Sequence, residues 1–126
     1  MNIIDLDGIV IVTGTDTDAG KTVTTAVIAA ALKQAGKDVL IIKPYQTGLA
    51  PEEPGDVHEA GRLSGVDADN LLEYVRCPEP LAPTTSAARA GMTIPSIEEV
   101  ANCIIIDSDG HDVTLVEGAG GVLVGL

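Results

Sequence analysis

The chain has 126 residues, enough for one domain with a hydrophobic core. Nineteen acidic residues against seven basic ones give a formal charge of −12, which argues against a nucleic-acid backbone or an anionic membrane surface as a partner. The longest apolar run, residues 26–32, is too short to cross a membrane and the N-terminus is not basic, so we expect a cytoplasmic protein.

The first predicted elements are a strand, a helix and a second strand. Ile9 to Val12 form a β-branched run without alternation, typical of a strand buried on both faces of a parallel sheet. Helix formers fill positions 21–35, and Gly36 is a natural C-terminal stop. A second buried strand is expected over Val39 to Ile42, with Lys43 at its end. This alternation predicts a βαβ unit.

The middle of the chain is predicted to be irregular with short helices. Residues 44–55 are rich in Pro, Gly and Glu and indicate a loop, after which Asp56 is placed to cap a helix that ends near Ser64. Another helix is expected around residues 69–75. The run CPEPLAPTT, residues 77–85, contains three prolines and predicts no regular element.

A last helix and a third strand complete the predicted order. Ser96 followed by Glu99 has the pattern of a capping box, so a helix should begin there and end near Asp107. Residues 113–116 are expected to form a third buried strand that delivers Glu117 to the carboxyl edge of the sheet. The two cysteines have no C-x-x-C spacing and are predicted to be buried thiols rather than a disulfide.

The stretch VTGTDTDAGKT, residues 12–22, contains the best chemical signal. Gly20, Lys21 and Thr22 match the end of a phosphate-binding loop, in which backbone N–H groups face phosphates, a lysine neutralises them and a hydroxyl ligates magnesium. Gly14 and Gly20 enclose five residues where the usual motif has about four. A glycine-rich turn with a surface lysine is the simpler alternative, but the predicted strand before it and helix after it favour nucleotide binding.

Three further side chains are expected at the same edge of the sheet, because ligands of open parallel sheets bind beyond the carboxyl ends of the strands. Lys43 and Glu117 each follow a strand, and Asp56 opens a helix after the intervening loop. Both carboxylates can then reach a magnesium ion held by Thr22. Considered alone, Lys43 is most simply explained as a solvated surface lysine, and Asp56 is most simply explained as a helix cap. Glu117 must face a cleft or be paired.

With these residues in place, the sequence resembles the dethiobiotin synthetase family of biotin biosynthesis. The stretches that carry the resemblance are GTDTDAGKT at 14–22, KPYQTG at 43–48, GDVHEAGRLSG at 55–65, LAPTTSAARAG at 81–91 and VEGAGGVLV at 116–124. The resemblance implies an α/β fold, a P-loop NTPase-like doubly wound parallel sheet, formed by a single domain over residues 1–126. Position 18 is Asp where the family commonly has Glu.

The family reaction, as the resemblance implies it, is an ATP- and Mg2+-dependent cyclo-ligation. One amine of 7,8-diaminononanoate combines with CO2, ATP phosphorylates the carbamate, and the second amine closes the cyclic urea with loss of phosphate. Lys43, Lys21 and Thr17 would be the catalytic residues, and Thr17 and Thr47 would hold the substrate. The implied metal ligands are Thr22, Asp56 and Glu117. The implied nucleotide-binding residues are Asp18, Ala19, Gly20, Lys21, Thr22, Val23, Asp56, Glu117, Gly118, Ala119 and Gly120.

Family members are homodimers and are nearly twice as long, so we expect the fold to be incomplete at its C-terminus, with the adenine-binding part absent. Three other functions remain open at this point. A cobyrinic or cobyric acid amidotransferase has a similar nucleotide loop, but it requires a glutaminase cysteine for which neither Cys77 nor Cys103 is a candidate. A partition-type ATPase normally has a further lysine near the loop start, where Thr15 and Asp16 stand. The third alternative function is that of a noncatalytic nucleotide-binding partner.

Overall fold

A computed structural model describes residues 5–13, 18–77 and 95–118 of the chain. In this part the strands are β1 (Gly8–Val12), β2 (Val39–Thr47), β3 (Leu71–Cys77) and β4 (Val113–Glu117). The helices are α1 (Asp18–Gln34), α2 (Asp56–Ser64) and α3 (Ile97–Ser108), and a 3-10 helix (Ala68–Asn70) precedes β3. None of the described helices is long and apolar enough to span a membrane.

The described strands form one four-stranded parallel sheet in the order β1-β4-β2-β3. Parallel strands bring their carboxyl ends to one edge, so the residues that follow β1, β2 and β4 meet there. Val12 pairs with Glu117, and the N–H of Gly118 donates a hydrogen bond to the carbonyl of Val12 at 3.1 Å. The chain segments that follow β1 and β4 therefore start side by side.

Helices cover both faces of the sheet, as the doubly wound fold class requires. On one face α1 and α2 pack against the strands through small and branched side chains, among them Ala29, Leu32 and Val57. On the other face α3 packs through Val100 and Ile104 against side chains of β2, β3 and β4. The predicted α/β class with a parallel sheet is confirmed.

The helix boundaries follow from local chemistry. The side chain of Ser96 accepts a hydrogen bond from the N–H of Glu99, so the expected cap of α3 is confirmed. Gly36, with φ of 87°, lies just beyond the end of α1, as its predicted role as a stop requires. Asp56 was expected to cap α2, but the N-cap is Gly55 and Asp56 is the first helical residue.

Strand β2 is longer than the sequence indicates. The predicted strand ended at residue 42 with a loop from residue 44, whereas β2 runs to Thr47 and Lys43 lies near its middle. The pairing with β4 ends at Ile42, and beyond it β2 pairs only with β3 among the described strands. Pro44 is tolerated because one side of the strand no longer needs a hydrogen-bonded partner.

Three other predictions about the elements were wrong. The helix expected around residues 69–75 is instead a 3-10 turn followed by β3. Strand β1 was expected to be buried on both faces, but it is the edge of the described sheet and Ile11 is 60% exposed. Cys103, expected to be buried, is an exposed thiol on α3.

Candidate functional site

The first turn of α1 holds the nucleotide-binding residues that the sequence predicts. Lys21 and Thr22 are buried there, while Gly20 and Val23 are exposed. Thr25 is also buried, and its hydroxyl donates a hydrogen bond to the carbonyl of Lys21 at 2.9 Å. A lysine and a hydroxyl are thus held at a helix N-terminus, where the peptide dipoles favour an anion.

Lys43 is the centre of a buried ionic cluster. Its side chain is fully buried, and its Nζ lies 3.3 Å from Oδ2 of Asp56 and 3.4 Å from Oε2 of Glu117. The sheet register explains one contact, since Ile42 pairs with Val116 and the next residues of the two strands are therefore neighbours. The other contact comes from the first turn of α2. Lys43, Asp56 and Glu117, which were predicted to share one edge of the sheet, are brought together.

The charges of this cluster do not balance. One ammonium faces two carboxylates, so the three ionised side chains have a net charge of −1 in a largely buried space. Burial raises the pKa of Glu117 above its ordinary value, while the charge of Lys43 and hydrogen bonds from Thr22 and Lys43 oppose that shift. Oε1 of Glu117 is buried and accepts no hydrogen bond from the described residues. The site favours an additional positive charge.

Gln46, which the sequence reasoning did not single out, is the partner of Asp56. It is 2% exposed, its Oε1 accepts a hydrogen bond from the N–H of Asp56 at 2.8 Å, and its Nε2 donates to Oδ2 of Asp56 at 3.3 Å. The signal that could have found it is the KPYQTG stretch itself, where Gln46 lies three residues after Lys43, the residue that the family resemblance predicts to be catalytic.

An ion pair on β3 fixes the loop that leads to Asp56. Nε and Nη2 of Arg76 donate to the carboxylate of Glu73 at 2.9 and 2.7 Å. Nη1 of Arg76 donates to the carbonyls of Ala50 and Glu53 in the loop between β2 and α2. A two-pronged arginine–carboxylate pair is directional, so it holds this loop against the edge of the sheet.

The other predicted site residues lie at this edge of the sheet, in the first turn of α1, or outside the described part of the chain. Thr47 is half-buried at the carboxyl end of β2, and Gly118 follows β4 at the same edge. Asp18 and Ala19 belong to the first turn of α1. Thr17, Ala119 and Gly120 lie outside the described residues. So does the irregular segment predicted over residues 77–85, except for Cys77, which is instead the last residue of β3.

The described part of the chain has no cluster of three or more His, Cys, Asp or Glu side chains that could hold a metal ion. The oxygen donors that come together are the carboxylates of Asp56 and Glu117, with the hydroxyl of Thr22 hydrogen-bonded to the latter. Two carboxylates and a hydroxyl are hard ligands that suit magnesium, which normally keeps waters or phosphate oxygens for its other positions.

These features together define a class of protein. A parallel sheet, a lysine and threonine buried at the first helix, and an acid at the end of a neighbouring strand are typical of the P-loop nucleotide-binding fold. The chain belongs to the AAA domain family, whose model matches residues 9–126.

Curated relatives are named ATP-dependent dethiobiotin synthetase BioD. The chain is 53% identical over 118 residues to the Rhodococcus jostii protein, covering 94% of this chain and 50% of that one. It is 50% identical over 116 residues to the Streptomyces avermitilis protein, covering 92% and 48%. A Mycobacterium sp. (strain JLS) protein is 48% identical over 122 residues, covering 94% and 52%. The chain spans about half the length of these relatives, and the predicted family resemblance is confirmed.

Proposed function

We propose that this chain provides the phosphate-binding and catalytic residues for the ATP-dependent conversion of 7,8-diaminononanoate and CO2 to dethiobiotin. The observation that carries the proposal is the buried Lys43, held between Asp56 and Glu117 at the edge of the sheet where α1 begins. The relatives named dethiobiotin synthetase support the choice of this reaction over other P-loop chemistries.

Magnesium fits the residues at this site. The excess negative charge of the cluster and the buried Oε1 of Glu117 support a divalent cation bound by Thr22, Asp56 and Glu117. When bound, magnesium would supply positive charge to the phosphate oxygens of ATP. With that charge in place, Lys43 would no longer be needed to neutralise both carboxylates and could turn toward the substrate.

The reaction brings two anions together, which gives the two lysines separate roles. Carbamate formation joins the nitrogen of one amine to the carbon of CO2 and releases a proton. A carbamate oxygen then attacks the γ-phosphorus of ATP, and ADP leaves. Lys21 would cover the phosphate oxygens and Lys43 the attacking carbamate, which lowers their repulsion.

Ring closure uses the same cationic surface. The second amine attacks the carbonyl carbon, the bond to the phosphate oxygen breaks, and the amine proton is lost as phosphate departs. Lys43 would stabilise the oxyanion that develops on the carbonyl oxygen. Thr17 and Thr47 would hold the diamine or its carbamate by their hydroxyl groups.

The wider features of the proposal extend the family resemblance. We propose nucleotide contacts from residues 18–23 and 117–120, a homodimeric assembly that holds the diamine between subunits, and a cytoplasmic location without nucleic-acid or membrane partners. The charge of −12 supports the last point, because it repels polyanions.

The test is ring formation by the folded chain. Purified protein is incubated with diaminononanoate, labelled bicarbonate, ATP and magnesium, and label in the cyclic urea is measured. We expect Lys43→Ala to abolish ring formation and to spare most ATP binding, because Lys21 remains. Since this variant removes the partner of two largely buried carboxylates, its folding is checked by circular dichroism, and Lys43→Arg, which keeps the charge, is measured beside it.

Lys33→Ala is the matched control, because Lys33 is exposed on the last turn of α1 and its Nζ donates a hydrogen bond to the carbonyl of Gly65 rather than to a residue of the Lys43 cluster. It should retain the wild-type rate. An unchanged rate in folded Lys43→Ala would remove Lys43 from catalysis. ATP binding without any labelled urea would instead favour a noncatalytic nucleotide-binding partner.

A further inference from the structure

Gln46 contacts both the backbone and the side chain of Asp56. Its Oε1 accepts from the N–H of Asp56, and its Nε2 donates to Oδ2 of Asp56 and to the carbonyl of Thr47, the last at 3.2 Å. The amide is 2% exposed, so both of its ends are used in the protein interior. Removing the glutamine amide from water costs free energy, and these hydrogen bonds offset that cost.

Gln46 performs the capping function that α2 lacks locally. The N-cap residue Gly55 has no side chain to accept a hydrogen bond from the first turn. The acceptor comes instead from β2, ten residues earlier in the chain, and it binds the first helical N–H. The start of α2 is thereby fixed to the strand that carries Lys43.

The two contacts on the Asp56 carboxylate fall on one oxygen. Nζ of Lys43 and Nε2 of Gln46 both lie 3.3 Å from Oδ2. This arrangement holds the carboxylate plane from one side and leaves Oδ1 outside these contacts. Asp56 is 23% exposed, so its side chain would otherwise be free to rotate toward solvent.

We propose that Gln46 is a positioning residue that orients Asp56 toward the metal ion of the nucleotide complex. The inference rests on the proposed function only in that this site binds ATP with a divalent cation. Hydrogen-bonded partners of metal ligands fix ligand orientation, and their loss typically lowers metal affinity by about 10–100-fold.

Gln46 is not needed merely to hold the loop before α2. That loop has its own anchor in Arg76, which donates to the carbonyls of Ala50 and Glu53 and pairs with Glu73. Replacing Arg76 by Gln therefore loosens the loop while keeping both bonds of Gln46 to Asp56. The two roles can be separated by experiment.

The experiment compares ATP binding to the full chain in EDTA and in magnesium chloride by calorimetry. Gln46→Leu removes the acceptor and the donor, while Gln46→Glu keeps an acceptor for the N–H of Asp56 and loses the donor. Both variants should bind ATP in EDTA within about twofold of wild type, and both should lose about tenfold in affinity for ATP in magnesium. A loss of affinity in Gln46→Glu is diagnostic of a positioning role, because the added carboxylate by itself would attract the cation and raise the affinity.

The matched control is Gln34→Glu, since Gln34 is exposed at the end of α1 and receives the same change of charge. It should leave the magnesium-dependent affinity unchanged, and Arg76→Gln should lower thermal stability more than it lowers that affinity. Unchanged or tighter magnesium-dependent binding in either folded Gln46 variant overturns the proposal, as does a wild-type chain whose ATP affinity is insensitive to magnesium. Absence of labelled urea alone overturns the proposed reaction and not this role.

Discussion

The cluster around Lys43 illustrates what individual residues determine at this site. A fully buried ammonium is stable only beside opposite charge, and two carboxylates within 3.4 Å provide it. The sequence pointed to all three residues, because it predicted that each would follow a strand or open a helix at one edge of a parallel sheet, although Lys43 in fact lies within β2. Gln46 escaped notice, because a glutamine within a motif does not by itself indicate a site, and its role depends on which face of the strand it occupies.

A glycine beside this cluster gives a residue-scale prediction. Gly55 has φ of −82° and ψ of 172°, which any residue adopts, so its role is steric. A Cβ there would overlap Oε1 of Glu73 and lie 2.6 Å from Nη2 of Arg76. We expect Gly55→Ala to displace the ion pair and to lower the free energy of unfolding by about 1 kcal/mol in urea denaturation, because the crowded atoms are the ends of flexible side chains.

The control for Gly55→Ala is a double-mutant cycle with Glu73→Ala. Removing the Glu73 side chain vacates the closest contact, so Gly55→Ala should cost less in the Glu73→Ala background than in wild type. Equal costs in the two backgrounds would mean that crowding against Glu73 is not the cause.

At the scale of elements, β2 shows why its end could not be read from sequence. Ile42 packs toward α3, Lys43 reaches Asp56, Tyr45 packs toward α3 and Gln46 reaches Asp56. Side chains of residues 43 and 46 thus share a face, which ordinary alternation in a strand forbids. The alternation of side chains between the two faces is interrupted near Pro44. A short segment with interrupted alternation, a proline and the following Gly48 has the local sequence pattern of a loop.

Strand β3 was missed for a related reason. Residues 69–75, DNLLEYV, contain an Asp, an Asn and two Leu that suit the start of a helix, and local propensity alone leaves the choice open. The decisive factor is the exposed edge of β2, which pairs with Leu71 to Cys77. Such a long-range partner overrides helix propensity and cannot be seen in a local window.

A hydrogen bond between β3 and α3 supports an element-scale prediction. The hydroxyl of Tyr74 donates to Oδ2 of Asp107 at 2.6 Å. Burial, followed by this bond, raises the pKa of Tyr74 well above its ordinary value. Tyr74→Phe should lower the free energy of unfolding by about 1.5 kcal/mol near neutral pH, measured by urea denaturation.

The pH dependence has a definite sign. A tyrosine that ionises more readily when unfolded stabilises the native state below its ordinary pKa of about 10 and loses that contribution as pH rises above it. The advantage of wild type over Tyr74→Phe should therefore shrink above about pH 10.

Tyr45→Phe is the neutral-pH control, because the buried hydroxyl of Tyr45 has no hydrogen-bond partner among the described residues, so its removal should cost little. Equal losses in the two variants would exclude the bond to Asp107 as the cause.

At the scale of the whole molecule, the described sheet has an apolar edge. Ile9 and Ile11 on β1 are 43% and 60% exposed, and Val23 and Val27 on α1 are 53% and 59% exposed. The sequence predicted Ile9 and Ile11 to be buried, and this difference accompanies a chain that spans about half the length of its relatives. An unpaired parallel strand with apolar side chains is a template for association.

The charge of −12 opposes that association, which makes it dependent on salt. Repulsion between copies acts over a Debye length of about 14 Å at 50 mM salt and about 4 Å at 500 mM, so only the short-range apolar attraction survives at high salt. We expect sedimentation velocity to detect self-association that increases with sodium chloride, and Ile11→Lys to reduce it by placing a charge on the edge strand. Ile106→Lys is the matched control, since Ile106 is 71% exposed on α3, away from β1. If both substitutions reduce association equally, the edge of β1 is not the surface through which copies meet.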